Sequence, residues 1–227
     1  MCDLNHRCLS CVVSGYSLPQ SAIYGNQDPR TGDGFSSHYA FAVLDTTIYS
    51  IDYVQGQLSN SLSAGSHYKI SVWLSLADEV NYTFSNYGVL FTQTQLSENQ
   101  VGLYNYSPQI VFNSFITETE GWQNFKFEFT ATGNEEYITF GNFFEPQFVD
   151  SLKIGCADYD SLHPNSCYDI CYVYLDDIAI YPADAPVYAA DAGGDQLLCK
   201  GESSTLGSQS RSQYLYWWYD EQGNLID

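Results

Sequence analysis

The clearest pattern along this chain is an alternation of apolar and polar residues with a period of two. In WQNFKFEFTA, at 122–131, Phe125, Phe127 and Phe129 fall on one face and polar residues lie between them. Successive side chains of a β-strand point to opposite faces, so this alternation predicts a strand with one buried face. Comparable patterns predict strands at 39–44, 53–62, 67–76, 87–94, 109–112, 122–131, 136–144 and 171–181.

The predicted strands are joined by turn-forming clusters and not by helical segments. DPRTGDG at 28–34, SAGS at 63–66 and TGNEE at 132–136 are rich in residues that form turns. All seven prolines lie outside the predicted strands, as the hydrogen bonding of a sheet requires. Short strands without crossover helices predict an all-β fold, an antiparallel jelly-roll β-sandwich.

The last predicted strand, CYVYLDDIAIYP at 171–182, changes the parity of its apolar residues. Val173 and Leu175 are odd-numbered, whereas Ile178 and Ile180 are even-numbered. Because a strand has a side-chain period of two, the change requires one extra residue, a β-bulge, at the intervening Asp-Asp pair. A bulge there directs two carboxylates to the rim of a sheet, which suits a hard cation such as calcium better than a single catalytic acid.

The charge of the chain argues against several classes of partner. Lys and Arg total 7 against 27 Asp and Glu, for a formal net charge of −20. A nucleic-acid binder needs clustered Lys and Arg, so we expect neither nucleic acid nor an anionic membrane surface as a partner. The sequence has no run of about 18 apolar residues, so we also expect no membrane insertion. The acidity indicates either a solvated surface alone or, in part, sites for divalent cations.

Seven cysteines, at positions 2, 8, 11, 156, 167, 171 and 199, are many for a reducing compartment. They favour disulfide bonds in an extracellular or outer-surface protein, although residues 1–20 are too polar for a secretory signal. The pairing of the cysteines cannot be read from the sequence. Zinc is the alternative for the clusters 2/8/11 and 156/167/171, and it needs His6 or His163 as a further ligand.

A Pro/Ala-rich hinge divides the chain into two predicted units. We assign 1–182 to the jelly-roll module, 183–187 to a linker and 188–227 to a second unit. The second unit has the pattern of two or three strands, which is too few to close an Ig-like sandwich, so we expect it to be truncated. The first unit lacks a strong initial strand, which we expect to be missing.

Several motifs occur in an order that resembles a known family. They are RTGDGF at 30–35, VQGQLSNSLSAGSHYKISVWLSLAD at 54–78, YITFGNF at 137–143 and YVYLDDIAI at 172–180. Together they resemble the carbohydrate-binding-module-like jelly rolls of large type IX-secreted, gliding-associated bacterial surface proteins. The tail resembles the start of the Ig-like or PKD-like repeats that follow such modules. By analogy of fold, the resemblance implies a glycan or cell-surface ligand and further domains in the same parent chain.

The same resemblance implies a calcium site. In related jelly rolls the Asp pair of the last strand, here Asp176 and Asp177, helps to hold a structural calcium ion beside a Gly-rich loop, here 31–34. Calcium takes six to eight oxygens, so Asp33 and loop carbonyls are expected to join the pair. A Glu in the family's first strand is a further expected ligand, and that strand is missing. The alternative is that the Asp pair only accepts hydrogen bonds from solvent and backbone N–H groups.

Trp73 is the candidate for contact with a glycan. It shares a predicted face with Ser71 and Ser75, and an aromatic ring on a polar sheet face can stack on a sugar ring. Tyr104 and Tyr106, in GLYNYSP, are expected to line a loop beside it. The alternative is that loops cover these rings and that they only pack the sandwich.

We therefore predict a non-catalytic extracellular module that binds a carbohydrate or cell-surface ligand within a larger secreted protein. The alternative is an architectural spacer or adhesin segment without a ligand site of its own. The third hypothesis is a glycoside-active enzyme, which needs two carboxylates across a cleft. The sequence contains no GxSxG, HExxH, P-loop or GxGxxG motif, so we expect no catalytic residues.

Overall fold

The computed structural model describes residues 24–32, 34–44, 47–49, 52–96, 105–156 and 167–184, and three short strands, Arg7–Cys8, Trp218–Tyr219 and Leu225–Ile226. In these three strands, at Leu44 and over 47–49, it describes the backbone alone. The chain divides into two compact units, Cys2–Asp184 and Ala185–Asp227 together with Met1. The division falls inside the predicted linker.

The described part of the first unit is almost entirely β-structure. Its strands are β1 Arg7–Cys8, β2 Ser36–Leu44, β3 Thr47–Tyr49, β4 Tyr53–Gln57, β5 His67–Leu76, β6 Tyr82–Phe84, β7 Gly88–Thr92, β8 Ile110–Val111, β9 Gln123–Thr130, β10 Tyr137–Gly141, β11 Ser151–Lys153 and β12 Ile170–Pro182. A 3-10 turn spans Pro146–Phe148. Within the described residues, no helix has the length and hydropathy needed to cross a membrane.

The strands form two five-stranded antiparallel sheets over the described residues. Sheet I has the order β1-β4-β10-β7-β8, and sheet II has the order β3-β2-β12-β5-β9. A short ribbon pairs β11 with β6. Strands distant in sequence are neighbours in both sheets, as in a jelly roll. The predicted all-β antiparallel sandwich is confirmed.

The strand predictions agree with the structure except at short elements. Each of the eight predicted segments contains a strand, and β5 has the predicted bounds. The segment predicted at 53–62 ends as a strand at Gln57, because Leu58 and Leu62 donate instead to the carbonyls of Glu136 and Glu135 (2.8 and 3.0 Å). β3, β6 and β11 have three residues each, too few to show a period of two.

The core lies between the sheets and uses the predicted inward residues. On β5, Ile70, Val72 and Leu74 are fully buried. On β9, Phe129 stacks on Phe91 of sheet I, with ring centroids 4.5 Å apart. Removing apolar area from water stabilises the fold by roughly 25 cal/mol per Å². The alternation in the sequence therefore produces the face that joins the two sheets.

The bulge predicted in β12 is confirmed. Asp176 pairs with Trp73, but the next pair joins Ala179 to Ser71, so β12 has one residue more than β5 between these pairs. Asp177 has the positive φ, 46°, that accommodates the extra residue. Beyond the bulge, the two isoleucines pack against the core, as their parity predicts. A second shift of register, between β12 and β2 at 171–172, had no signal in the sequence.

The cysteine prediction is confirmed for one pair. Cys156 and Cys167 form a disulfide bond. Cys171 is free and fully buried, and burial raises the pKa of its thiol. Two of the three sulfurs of this cluster are therefore bonded to each other, and His163, the further ligand that zinc needs, lies outside the described residues. The side chains of the other four cysteines lie outside the described residues.

The second unit is described only at two strands. β13, Trp218–Tyr219, pairs antiparallel with β14, Leu225–Ile226. The other residues of the predicted Ig-like unit lie outside the described part of the chain.

A histidine occupies the core between the sheets. His38 of β2 is 1% exposed, and its Nε2 lies 3.1 Å from the Tyr87 hydroxyl. Its Nδ1 has no hydrogen-bond partner among the described residues. Burial lowers the pKa of His38 from 6.5 to about 3, because the core cannot solvate the charged ring. Burial therefore keeps this ring neutral in the folded protein under mildly acidic conditions.

We predict that His38 makes the fold sensitive to mild acid. Below pH 6.5 the unfolded chain protonates this ring while the folded chain does not, so stability is full above 6.5 and falls as the pH drops towards about 3. At pH 4.5 the loss is on the order of 3 kcal/mol relative to neutral pH. Urea denaturation at pH 7 and 4.5 measures it. His38→Gln should lose clearly less stability over this interval than the native chain, and an equal loss would contradict the account.

Candidate functional site

The outer face of sheet II is divided into a covered half and an open half. The segment formed by residues 24–32 and 34–35 crosses the covered half. Tyr24 packs edge-on against Tyr172 with ring centroids 5.2 Å apart, and Phe35 packs in the same way against Tyr174 at 5.0 Å. Tyr172 and Tyr174 are buried, although their side chains lie on the face of β12 opposite to Val173 and Leu175. The first half of β12 is therefore buried on both faces.

The Asp pair at the bulge anchors the covering segment. Asp176 accepts a hydrogen bond from the Arg30 backbone N–H (2.8 Å), and Asp177 accepts one from the Thr31 hydroxyl (2.6 Å). The Arg30 guanidinium forms an ion pair with Asp177, and the two side chains are only 19% and 14% exposed. The Asp177 backbone N–H donates to the Asp176 carboxylate (2.7 Å). We call Arg30, Thr31, Asp176 and Asp177 the acidic corner.

The charge balance of the acidic corner depends on Arg30. Burial raises the pKa of Asp176, and the charge of Asp177 acts in the same direction, while hydrogen bonds from backbone N–H groups oppose both. Two adjacent, partly buried carboxylates are costly without a cation beside them. The guanidinium supplies that cation from within the chain.

Trp73 lies at the boundary between the two halves of the face. Its side chain points outward from β5 and is half-buried. The Arg30 guanidinium carbon lies 3.8 Å from the centroid of the Trp73 ring, a cation–π contact. One face of the indole is therefore covered by the protein itself, and a sugar cannot stack there unless Arg30 moves.

The structure does not bring Tyr106 to Trp73. Tyr106 packs against Tyr53, Leu90 and Phe143. Leu90 is on β7 of sheet I, and its neighbours along that strand face the core, so Tyr106 lies on the outer side of the other sheet. The expectation that it lines a loop beside Trp73 is corrected accordingly. Tyr104 lies outside the described residues.

The described residues of the acidic corner do not by themselves fit a calcium ion. All four carboxylate oxygens of Asp176 and Asp177 already accept hydrogen bonds or an ion pair from the protein. Within the described ranges, no three His, Cys, Asp or Glu side chains are grouped to hold a metal. Asp33 lies outside those ranges, so the calcium ion expected from the resemblance stays a prediction.

Beyond the bulge, the outer face of sheet II is open. We call its outward side chains the open half-face: Lys69, Ser71, Lys126, Glu128, Ala179 and Tyr181. All of them are partly or well exposed, and Tyr181, 41% exposed, is the large aromatic among them.

The centre of the open half-face carries small side chains and is therefore lower than its two ends. Ser71 pairs with Ala179, so two small side chains lie side by side on β5 and β12. Larger groups stand on both sides along the strands, the Trp73–Arg30 stack on one and Tyr181 on the other. Tyr181 pairs with Lys69 on β5, and Lys69 is four residues from Trp73 along that strand. At the rise of a strand, the two aromatic residues are therefore about 14 Å apart along the strand direction. The half-face is therefore a shallow trough with an aromatic group at each end.

The charged groups of the half-face are unpaired among the described residues. Lys69 lies opposite Glu128 on the neighbouring strand, and Lys126 is diagonal to Lys69. None of the three forms an ion pair or a side-chain hydrogen bond within the described residues. Both lysines and the glutamate are thus available as donors and acceptors to a ligand.

A cavity of about 750 Å³ lies at one end of the open half-face. Its walls are the turn 63–66, His67 and Tyr68 at the start of β5, Glu128 of β9 and the segment 182–184. Glu128 belongs to both the half-face and the lining of the cavity.

Sequence reasoning missed Arg30, Tyr181 and the cavity. Arg30 is within the Gly-rich motif, but nothing in that motif indicates an ion pair with a residue 147 positions away. Tyr181 has a signal: the parity change that predicts the bulge also turns its ring outward. Glu128 and His67 have only the polar parity of exposed strand residues.

Comparisons with known proteins find similarity of structure at low sequence identity. No protein-family model matches the chain, and no curated protein matches it. The K1 cleaved adhesin domain of Lys-gingipain from Porphyromonas gingivalis W83 is similar at a TM-score of 0.37 and 15% identity, over 69% of this chain and 80% of that one. The K2 adhesin domain of Lys-gingipain has a TM-score of 0.33 and 14% identity, with 78% and 82% coverage.

A xylan-binding domain is also similar. The CBM22-1 domain of Paenibacillus barcinonensis Xyn10C has a TM-score of 0.28 and 11% identity, over 67% of this chain and 97% of that one. Similarity at this level carries no argument about what the present chain binds, which has to come from its own residues.

We predict that Asp177→Asn lowers the free energy of unfolding by about 1–3 kcal/mol, because Arg30 loses a charged hydrogen-bond partner in a mostly buried site. The matched control is Asp169→Asn, whose partner Lys153 is 3.5 Å away in a pair that is 59% and 53% exposed. That change should have almost no effect. Urea denaturation compares the two, and equal effects would contradict the role given to the acidic corner.

The calcium prediction has a separate test. If Asp33 completes a site with the Asp pair, millimolar calcium raises the midpoint of thermal unfolding relative to EDTA, because a ligand that binds only the folded state stabilises it. Asp177→Asn should then abolish the rise. Equal midpoints of thermal unfolding in calcium and in EDTA would contradict the calcium prediction.

Proposed function

We propose that this chain is a non-catalytic binding module whose ligand is a carbohydrate, held on the open half-face of sheet II. The observation that carries the proposal is the trough over Ser71 and Ala179, with Trp73 and Tyr181 at its ends. Aromatic groups about 14 Å apart along the strands fit an elongated ligand better than a single small ring.

The chemistry of the half-face suits a sugar. An aromatic ring with a polar edge offers apolar area to the C–H face of a sugar ring while leaving its hydroxyls solvated. Lys69 and Lys126 donate hydrogen bonds, and Glu128 accepts them. The Ser71 hydroxyl already accepts a hydrogen bond from the Asn124 side-chain amide (2.8 Å) and contributes its own proton as a donor. Sugar hydroxyls also donate and accept, so this mixture complements a glycan without a fixed charge.

The exposure of the carboxylates favours binding over catalysis. A glycosidase needs one carboxylic acid with a raised pKa, which requires burial or a close second carboxylate. Glu128 and Asp184, the carboxylates near the half-face, are both exposed. Asp176 and Asp177 hold the covering segment and are not free to act on a substrate.

We also propose that the module works outside the cell, as one part of a larger protein. The Cys156–Cys167 disulfide supports this location, because such bonds persist in oxidising compartments. The separate unit Ala185–Asp227 supports a chain of several modules.

We predict that Tyr181→Ala lowers affinity for the bound glycan about tenfold, because an aromatic contact of about 1.4 kcal/mol is lost. The glycan is found by affinity electrophoresis with xylan, mannan, β-glucan, starch and polygalacturonate, and its affinity is then measured by calorimetry. The control is Phe148→Ala, an exposed aromatic in the 3-10 turn outside the half-face. Retention of full affinity by Tyr181→Ala would contradict the site. Absence of binding to every glycan would favour the architectural spacer.

A further inference from the structure

We infer that the edge strand β9 is a docking site for a second copy of this chain. Two molecules pair their β9 strands antiparallel and join their two sheets II into one continuous sheet. The inference goes beyond the proposed function, because it concerns the edge of the sheet and a protein partner. It is carried by the length of the edge, by its free backbone groups and by the order of the side chains along it.

β9 is the longest edge strand of the sandwich. It is the last strand of sheet II, and among the described residues it pairs with β5 alone. It has eight residues, whereas β1, β3 and β8, at the other sheet edges, have two or three. Edge strands in natural sheets are commonly short or interrupted by a proline or a bulge. β9 contains no proline and pairs with β5 without a shift of register.

The outer edge of β9 carries unused backbone groups. Successive residues of an antiparallel strand direct their N–H and C=O groups to opposite sides, so about half of these groups in β9 point away from β5. No backbone group in the described ranges, apart from those of β5, bonds to the backbone of 123–130. Such a row of donors and acceptors is a template for a further strand.

The inner face of β9 is least covered at its centre. Phe125 and Phe129 are buried, whereas Phe127 between them is only half-buried. The Phe127 ring stacks on Phe112 with ring centroids 4.3 Å apart, and part of its surface still contacts solvent. A strand added at this edge would cover that apolar surface, which favours association.

The side chains of β9 are complementary to a second copy of themselves. The sequence FKFEF at 125–129 is symmetric about Phe127, except that the charges on its two sides have opposite signs. Directly opposite residues of an antiparallel pair lie on the same face. With Phe127 opposite its own copy, Lys126 lies opposite Glu128, and the twofold symmetry repeats this pair. The exposed charges then attract each other on the outer face, and the phenylalanines adjoin on the inner face.

The charges also select this pairing over the alternatives. A shift of two residues in either direction places Lys126 opposite Lys126 or Glu128 opposite Glu128, and like charges directly opposite are destabilising. A shift of one residue places a charged side chain opposite a phenylalanine. Charges on an edge strand commonly prevent pairing with other strands. Here they admit a partner with the same sequence in one register, which gives specificity.

The dimer would join two ligand-binding surfaces. The twofold axis of an antiparallel strand pair is perpendicular to the sheet, so the outer faces of both sheets II lie on the same side. Lys126 and Glu128 belong to the open half-face, and the two half-faces therefore meet at the interface. A glycan of repeated units could contact both copies and gain avidity. This consequence rests on the proposed function, whereas the dimer itself does not.

The test exchanges the charges of β9 in the full chain and follows the dimer by sedimentation equilibrium up to millimolar protein. Physiological salt screens the repulsion between two chains of net charge −20. The native chain should dimerise. Lys126→Glu and Glu128→Lys should each raise the dissociation constant about tenfold or more, because each replaces two attractive pairs by two repulsive ones. The control Glu136→Lys, at an exposed residue outside β9, should not weaken the dimer.

Two combinations should restore association. The double variant Lys126→Glu/Glu128→Lys keeps opposite charges facing each other and should dimerise as the native chain does. An equimolar mixture of the two single variants should form a heterodimer, because two glutamates then face two lysines. Thermal unfolding checks that each variant folds, and if one single variant fails, the other single variant and the double variant decide. A native chain that stays monomeric at millimolar concentration overturns the inference. A dimer that folded single variants do not weaken also overturns it, and neither result affects the proposed function, because no glycan is present.

Discussion

The arrangement of this surface depends on one extra residue in β12, where two residues of that strand lie opposite one residue of β5. Without it, the apolar residues on either side of the Asp pair could not all face the core, because a strand has a period of two. The extra residue also gives Asp177 its left-handed backbone and places two carboxylates together at the edge of the core. The same bulge therefore keeps the apolar residues of β12 in the core and brings the two carboxylates together.

The two carboxylates determine which part of the sheet is covered. They hold the segment formed by residues 24–32 and 34–35 through the backbone of Arg30, the hydroxyl of Thr31 and the Arg30 guanidinium. The segment buries the tyrosines of β12 as far as the bulge and covers one face of Trp73. Beyond the bulge, the same sheet is open and carries small, aromatic and unpaired charged side chains. One structural irregularity thus separates a packed region from a surface suited to a ligand.

The sequence predicts the features that depend on local periodicity. The alternation in β5 and β9 correctly identifies the core, and the parity change in β12 correctly locates the bulge. It does not predict the partner of Asp177, because an ion pair between distant segments leaves no periodic signal. The position of Tyr106 also depends on contacts between distant segments, and the fold places it against the other sheet and not beside Trp73. The cavity is formed by three segments that only the tertiary structure brings together.

Thiol labelling of Ile180→Cys and Tyr181→Cys in the folded protein tests the extra residue in β12 most directly. Site-resolved mass spectrometry follows each thiol, and the native Cys171 serves as the buried reference, since burial raises its pKa and slows its reaction. The account predicts fast labelling at 181 and slow labelling at 180, because the strand changes parity at the bulge. Fast labelling at 180 with protection at 181 would contradict it.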